Sequence, residues 1–340
     1  MDVVAERLTS QLLAGPRPRE PVAVVERLLA VQGQDPRAVR LAIRARGAGI
    51  SAADVDRALT DDRSLLITWL NRRTLHLVRR EDYPWLQALT TPPLFTQTAR
   101  RLHQEGVPPA HAERAVAEVE RALADDGPLT RAQLRERVAR KGVRTEGQAL
   151  VNVLLLASLR GLIVRGPMVG KQQAFVLVRD WLGEQAEVDR ERALAELARR
   201  YLVGHAPALD RDLARWAGVP LRDARAGLSA IASRLITRTD GLVEPTRRRR
   251  VAELPPPRLL GAFEPLLLGW IDREPFLGNR QASITVGGLF KPFALVKGRA
   301  VATWRLDGGE VVLEPFGRLT RDVRAALERD GEDVVRYLAH

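Results

Sequence analysis

The apolar positions of the first 105 residues recur at helical spacing and then switch to a period of two. The helical spacing predicts four helices, near Val3–Leu13, Val22–Gln32, Pro36–Arg46 and Ala52–Leu59. Two stretches of β-type residues follow, Leu65–Leu70 and Thr74–Val78, with Asn71-Arg72-Arg73 as the tip between them. This segment is therefore predicted to form several helices that lead into a hairpin.

Two further segments repeat the same outline. Residues 106–183 have helical spacing as far as Leu159, and a pair of strands then flanks the turn-rich residues 166–171. Residues 184–252 repeat the outline more compactly and end in a small hairpin about Asp240-Gly241. Three helices followed by a two-stranded wing are typical of the winged helix, a variant of the helix-turn-helix. The repetition predicts three tandem winged-helix units, at residues 1–105, 106–183 and 184–252.

The period of the pattern changes after the prolines at positions 255–257. Four stretches then alternate or run apolar in the manner of strands: Ile284–Val286, Phe290–Val296, Val301–Leu306 and Val311–Glu314. Residues 253–340 are therefore predicted to form a small antiparallel domain, resembling a β-barrel and closed by a terminal helix, Arg321–His340. The predicted fold class is mainly α with small β wings (α+β), with three tandem winged-helix units before a C-terminal antiparallel β domain.

The net charge of the chain gives information about the kind of molecule that it binds. The 340-residue chain has 54 Lys+Arg against 42 Asp+Glu, a formal net charge of +12, which favours a polyanionic partner such as nucleic acid. Most of the positive charge is arginine, however, in a chain rich in Ala, Gly and Pro, and a GC-rich genome produces the same bias. Charge alone therefore leaves both explanations open.

Several function classes are excluded or disfavoured by composition. The chain has no cysteine, which excludes disulfides, iron–sulfur clusters and thiolate zinc sites. Its five histidines lack paired ligand spacing, so we expect no metal and no cofactor, and neither a P-loop nor a Gly-x-Ser-x-Gly elbow is present. The sequence has no apolar run long enough to cross a bilayer and no signal-peptide pattern. We therefore expect a cytoplasmic protein without a membrane partner.

The most informative local feature is the run Gln32-Gly33-Gln34-Asp35-Pro36. Helical spacing places Gln32 on an apolar helix face, and Gly33 is predicted to end that helix. Asp35 is predicted to be the N-cap of the next helix, with Pro36 as its first residue. A rigid turn would then project both glutamine side chains, although an ordinary capped turn with a solvated Gln34 explains the same pattern.

Six ordered segments resemble the bacterial winged-helix proteins that include the AlkZ-type and YcaQ-type crosslink-repair DNA glycosylases. These segments are Leu28–Pro36, Thr68–Leu77, Pro207–Gly218, Leu259–Gly269, Phe290–Pro292 and Thr303–Arg305. The resemblance covers most of the chain and implies three winged helices and a β domain around a DNA-binding concavity. It further implies a monomer that excises bulky N7-alkylated purines from double-stranded DNA, sometimes from interstrand crosslinks. Both general repair and self-resistance to a DNA-alkylating natural product are compatible with it.

The resemblance also points to catalytic residues. AlkZ-type members have a Gln-x-Gln motif with an aliphatic middle residue, which Gln32 and Gln34 match and Gly33 does not, while the YcaQ-type motif ends in Asp. An N7-alkylguanine is cationic and its glycosidic bond is weak, so the main tasks are to hold the lesion and place a water at the sugar C1′. Neutral amides can orient such a water without a tuned pKa. Gln32 and Gln34 are therefore the predicted catalytic residues, and the absence of a nearby lysine in the sequence predicts a monofunctional enzyme without a Schiff base.

Basic side chains around the predicted hairpins and the arginine run are candidate DNA contacts. They are Arg72, Arg73, Arg79, Arg80, Lys171, Arg247, Arg248, Arg249 and Arg250. Charge runs such as residues 247–250 are equally typical of a solvated linker.

Three further residues are candidates to line the site: Asp35, His76 and Trp270. Helix capping by itself explains Asp35, and packing is the alternative for His76 and Trp270. The alternative function for the whole chain is a non-catalytic winged-helix protein that binds DNA or regulates expression. Tandem wings in one chain are unlike an operator-reading dimer, which uses one unit per half-site.

Overall fold

A computed structural model describes residues 2–169, 172–247 and 250–339, which form a mixed α/β fold. The chain divides into two compact units. The first comprises Met1–Asp56, Leu194–Trp216 and Pro220–His340, and the second comprises Arg57–Ala193 with Ala217–Val219. Within these described ranges, no helix combines the length and the apolar character that a membrane crossing requires.

The regular elements are mostly short helices and short antiparallel strands. The α-helices are Val3–Ser10, Pro21–Leu28, Pro36–Arg46, Ala52–Thr60, Tyr83–Thr90, Phe95–Gln104, Pro109–Asp126, Arg131–Arg140, Ala149–Leu159, Val178–Leu182, Arg190–His205, Asp210–Ala217, Leu221–Ala230, Pro265–Leu268, Glu274–Leu277, Gln281–Ile284 and Arg321–Leu338. The strands are Val31–Gln32, Leu65–Leu70, Thr74–Arg79, Ile163–Val169, Gln172–Leu177, Leu235–Thr237, Val243–Pro245, Arg258–Leu260, Thr285–Val286, Leu289–Phe290, Phe293–Val296, Arg299–Asp307 and Glu310–Pro315.

The second unit contains an antiparallel sheet built from two hairpins. The predicted hairpin of Leu65–Leu70 with Thr74–Arg79 is confirmed, and Ile163–Val169 pairs with Gln172–Leu177. The two hairpins also pair with each other, because Ile67 lies opposite Arg165. Strands that the sequence assigns to two successive units therefore belong to one sheet.

Three helices pack on one face of this sheet and form the core of the second unit. They are Pro109–Asp126, Arg131–Arg140 and Ala149–Leu159, whose buried apolar residues cluster with Trp69 and Phe175. Thr130 begins the second of these helices in a capping box with Gln133. This packing explains why residues 149–159 are almost continuously apolar, since the helix is buried on all sides.

In the first unit, the C-terminal residues form an antiparallel sheet that includes most of three of the predicted strands, whereas Thr285–Val286, from the fourth, pairs with Leu289–Phe290 in a separate hairpin. The four strands of the sheet run in the order Glu310–Pro315, Arg299–Asp307, Phe293–Val296 and Arg258–Leu260. The terminal helix Arg321–Leu338 packs on this sheet through Leu327, Val334 and Tyr337.

Ion pairs anchor the last turn of the helix Pro36–Arg46 to the C-terminal residues. Arg44 binds the carboxylates of Asp330 and Asp333 at 2.7 and 2.6 Å. At the end of the helix, the fully buried Arg46 forms an ion pair with Glu264. These contacts fix the position of a helix whose first residues follow the Gln-Gly-Gln-Asp run.

Candidate active site

The chain between helices Pro21–Leu28 and Pro36–Arg46 reverses sharply at Leu29. This residue has φ 65° and ψ −47°, and the Ala30 N–H donates to the Leu28 carbonyl at 2.8 Å. The arrangement is a γ-turn of the positive-φ type, which is rare and strained for a residue with a side chain. Such strain costs on the order of 1–3 kcal/mol and persists only when the surroundings hold it. Here the leucine side chains at both positions are fully buried.

The γ-turn changes the environment of the motif. The predicted helix that starts at Val22 is confirmed as far as Leu28. Its predicted continuation to Gln32 and its end at Gly33 are wrong, because the helix ends at Leu28 and Val31–Gln32 is a short strand.

The start of the next helix follows the prediction. The side chain of Asp35 accepts a hydrogen bond from the backbone N–H of Arg37 at 2.8 Å, and Pro36 is the first helical residue. This is the N-cap geometry that the sequence predicts. The Asp35 side chain is thus hydrogen-bonded to the start of the helix, and helix capping alone accounts for this contact.

The two glutamines of the motif differ in exposure. Gln32 is only 8% exposed, whereas Gln34 lies at the surface two residues further on. The Gln32 side chain is therefore buried, and the Gln34 side chain is accessible to solvent or to a ligand at the same corner. Both groups are neutral and can donate and accept hydrogen bonds.

A close helix contact supports the residues that lead into the corner. A Cβ atom added at Gly204, in the helix Arg190–His205, would overlap the carbonyl oxygen of Arg27 and lie 3.5 Å from the Cα of Leu28. Glycine is therefore required here for close approach rather than for its φ angle. This contact fixes the end of the helix that precedes the γ-turn.

In the second unit, the tip of the first hairpin is unusual because two successive arginines have positive φ, 54° at Arg72 and 64° at Arg73. The Arg73 guanidinium donates to the Asn152 side-chain oxygen at 2.7 Å, and the Asn152 amide donates in turn to the Gln148 carbonyl at 2.8 Å. Burial lowers the pKa of Arg73, and the nearby charge of Arg101 acts in the same direction. Arg73 is thus a positioned cation rather than a flexible one.

His76 is buried in the same hairpin. Its Nδ1 lies 2.9 Å from the carbonyl oxygen of Thr74, and because a carbonyl only accepts, Nδ1 must be the protonated nitrogen. Burial lowers the pKa of His76 to about 3, and the charge of Arg72 adds to this effect. His76 is therefore neutral at pH 7 and is held by the hairpin.

Arg79 and Arg80, also candidate DNA contacts, have partners within the second unit. Arg79 donates to the carboxylate of Asp82 at 2.8 Å, and Arg80 donates to the carbonyl of Leu182 at 2.8 Å. Their guanidinium groups thus stabilise the segment that follows the hairpin.

A comparison of the chain with known protein families identifies its family. The model of the family described as "DNA glycosylase AlkZ-like" matches residues 25–337, a range that includes the corner, all of the second unit and most of the first. The chain belongs to this family. It is also similar to the interstrand DNA cross-link repair glycosylase of Streptomyces sahachiroi, with 28% identity over 367 residues that cover 98% of this chain and 95% of that protein.

The AlkZ-like fold is also found by structural comparison. The structure of the Streptomyces sahachiroi DNA glycosylase AlkZ superposes with a TM-score of 0.79, covering 99% of this chain and 96% of that one at 24% identity. The shared fold extends over essentially the whole chain.

The remaining candidates of this AlkZ-like protein lie in different environments. Trp270 belongs to the core of the first unit, since its indole N–H donates to the carbonyls of His205 and Pro207 at 3.0 and 3.2 Å. Arg247 and Arg250 are exposed on the same unit. Lys171, Arg248 and Arg249 lie outside the described residues.

Sequence reasoning missed one candidate surface in the first unit. The strands Thr285–Val286 and Leu289–Phe290 form a hairpin whose tip exposes Val286 by 53% and Leu289 by 64%. Apolar side chains of this kind are inserted between base steps by proteins that bend DNA. The signal in the sequence is a Gly-Gly turn with apolar residues on both sides.

The cap at Asp35 yields a stability prediction. Asp35→Ala should lower the free energy of unfolding by about 1 kcal/mol, because the first turn loses its side-chain acceptor. Asp35→Asn should retain most of that stability, since an amide oxygen also caps. Urea denaturation measures both. If Asp35→Asn kept its stability but lost glycosylase activity, the carboxylate would have a chemical role beyond the cap.

Proposed function

We propose that this protein is a monofunctional DNA glycosylase that excises bulky N7-alkylated purines from duplex DNA. We further propose that its substrates include interstrand crosslinks, the lesion named for the Streptomyces sahachiroi relative. Family membership supports the reaction class. The observation that carries the residue assignment is the Gln32-Gly33-Gln34 corner, where one glutamine is buried and the other is exposed between a strained turn and a capped helix.

The proposed chemistry needs little from the protein as an acid. Alkylation at N7 makes the purine a cation, so the base can leave with the electron pair of the glycosidic bond and become neutral. The oxygen of a water then bonds to C1′ of the sugar, and the proton of that water is released to solvent. The amides of Gln32 and Gln34 would hold this water and orient it, a task of positioning rather than proton transfer.

We propose that each of the two units has its own contacts to duplex DNA. We propose that the helices and hairpins of residues 1–105, 106–183 and 184–252 act as winged-helix units, followed by the β domain at 253–340. Arg72 and Arg73 at the first hairpin tip and the arginines from Arg247 to Arg250 would contact phosphates. His76 is neutral and buried, and we assign it to support of the hairpin rather than to chemistry.

The proposal is tested by incubating the protein with duplex oligonucleotides that carry N7-methylguanine, a bulkier N7 adduct or an N7-linked interstrand crosslink. We expect abasic sites from the adducts, unhooking of the crosslink, no strand cleavage before alkali treatment, and no borohydride-trapped covalent complex. Trapping of a covalent complex would contradict the monofunctional mechanism. Tight binding without any abasic product would favour a non-catalytic DNA-binding protein instead.

A further inference from the structure

An arginine occupies a position in the second-unit sheet where the pattern calls for an apolar residue. Arg165 lies directly opposite Ile67 on one side and Phe175 on the other. Directly paired residues in an antiparallel sheet project to the same face, and Trp69, two residues from Ile67, also projects to that face. This is the face on which the core of the unit packs, with Trp69 and Phe175 among its buried residues.

The guanidinium of Arg165 is fixed on two aromatic rings. Its Cζ lies 4.1 Å from the ring centroid of Phe175 and 5.5 Å from that of Trp69. The two rings are stacked, with centroids 6.2 Å apart and planes at 12°. Its Nη1 also donates weakly to the Gln173 carbonyl at 3.4 Å. Contacts of this kind orient a planar cation without neutralising it.

The start of the helix Arg131–Arg140 lies beside the same ring. Leu129 and Phe175 exchange two backbone hydrogen bonds, of 3.2 Å from the Leu129 N–H and 2.8 Å from the Phe175 N–H. Arg131 begins the helix two residues after Leu129 and is exposed. Its charge is close enough to Arg165 to lower the pKa of that residue, so the backbone pairing brings the two arginines into the same region of the unit.

No carboxylate balances these two charges in the part of the chain that the structure describes: neither arginine has an acidic group within 4 Å. Other half-buried arginines of the same unit do, as in the pair of Arg79 with Asp82 at 2.8 Å. Burial lowers the pKa of Arg165 to about 10, and the charge of Arg131 acts in the same direction. The two cations thus repel each other, and an anion bound between them would relieve that repulsion.

We propose that Arg165 and Arg131 together bind the phosphodiester backbone of duplex DNA. This inference rests on the proposed function, since it assumes that DNA is the ligand, and it adds a contact site on the second unit that no hairpin-tip residue provides. A phosphate suits the site because guanidinium groups recognise phosphate oxygens in a forked geometry and remain charged at pH 7. An arginine with a purely packing role would be better replaced by an apolar residue, because its face is otherwise hydrophobic.

The test measures the affinity for an undamaged, fluorescein-labelled duplex as a function of salt concentration. The variants are Arg165→Met, which keeps the packed volume and removes the charge, Arg131→Gln, and the two combined. The matched control is Arg140→Gln, which removes one exposed charge from the same helix nine residues away, about 13 Å along its axis. Undamaged DNA contains no lesion to excise, so the measurement reports binding alone.

Each lost phosphate contact should reduce the slope of log affinity against log salt by about 0.9. We expect a reduction of about 0.9 for Arg131→Gln and about 1.8 for the double variant, whereas Arg140→Gln should keep the wild-type slope. Near-UV circular dichroism reports whether Arg165→Met keeps its fold. If Arg165→Met does not keep its fold, the salt dependence of Arg131→Gln alone tests the proposal, because Arg131 is exposed and its replacement should not disturb the fold.

Different results would overturn the DNA-contact site and the proposed glycosylase function. A folded double variant that bound DNA with the wild-type slope would overturn the assignment of Arg165 and Arg131 while leaving the glycosylase proposal intact. A wild-type protein that bound no duplex at all would overturn the proposed function, and with it this site.

Discussion

Gln34→Ala is expected to lower the single-turnover rate of N7-alkylguanine excision by about 10²-fold, since misplacing a reacting group by about 1 Å can reduce the rate by this order. Gln34 is exposed, so the free energy of unfolding should stay within about 0.5 kcal/mol of wild type. Gln32→Ala should lower the rate similarly, with some loss of stability because Gln32 is buried. Single-turnover kinetics with enzyme in excess separates the chemical step from binding and product release.

The double variant tests whether both amides hold one water. The effects of groups that act as a unit are strongly non-additive. The double variant Gln32→Ala/Gln34→Ala should therefore excise at most a few fold more slowly than the slower of the two single variants. Gln97→Ala, which removes an exposed glutamine from the helix Phe95–Gln104, should excise at the wild-type rate. Excision by the double variant at the wild-type rate would remove both glutamines from the mechanism.

Features encoded by local chemistry could be predicted from the sequence. The cap at Asp35-Pro36 depends on a side-chain acceptor and a fixed φ angle within two residues, and the structure confirms it. The hairpin of Leu65–Leu70 with Thr74–Arg79 and the small hairpin about Asp240-Gly241 were likewise signalled by alternation and turn residues. In each case the interacting residues are neighbours in the chain.

The backbone at the candidate site could not be predicted in the same way. A helix signal continued through Leu29 to Gln32, because leucine is a good helix former and gives no warning of a positive φ. The γ-turn at Leu29 exists because buried leucines and the close approach of Gly204 hold the preceding helix in place. These partners lie about 175 residues away in the chain, beyond the reach of any local pattern.

The pairing of Ile67 with Arg165 illustrates the same limit. The partner strands are separated by about 100 residues, and an arginine at an inward position breaks the alternation that would have assigned Ile163–Val169 to a core face. Only the register brings Arg165 onto the ring of Phe175. Conflicts between local pattern and global fold are frequently found at functional sites, which supports testing this arginine first.

Glu264→Ala is expected to destabilise the first unit by about 3–5 kcal/mol, because it leaves the charge of Arg46 buried without a counter-ion. Both side chains are essentially inaccessible, at 0% and 1% exposure. Arg46 also donates to the backbone carbonyl of Gln11 at 2.8 Å and to its side-chain oxygen at 3.0 Å. These neutral acceptors remain in the variant but cannot replace a negative charge. The midpoint of urea denaturation, followed by tryptophan fluorescence, measures the loss.

A double replacement distinguishes a lost ion pair from a lost side-chain volume. Arg46→Met/Glu264→Leu removes both charges and refills the space, so it should recover most of the stability lost in Glu264→Ala. Asp307→Asn is the control, since it breaks the surface pair with Arg305, in which both side chains are more than half exposed, and should leave the midpoint unchanged. If Glu264→Ala unfolded at the wild-type midpoint, the pair would not anchor the helix that begins at the glutamine corner. A double variant as unstable as the single one would mean that packing of the glutamate, rather than its charge, secures the far end of that helix.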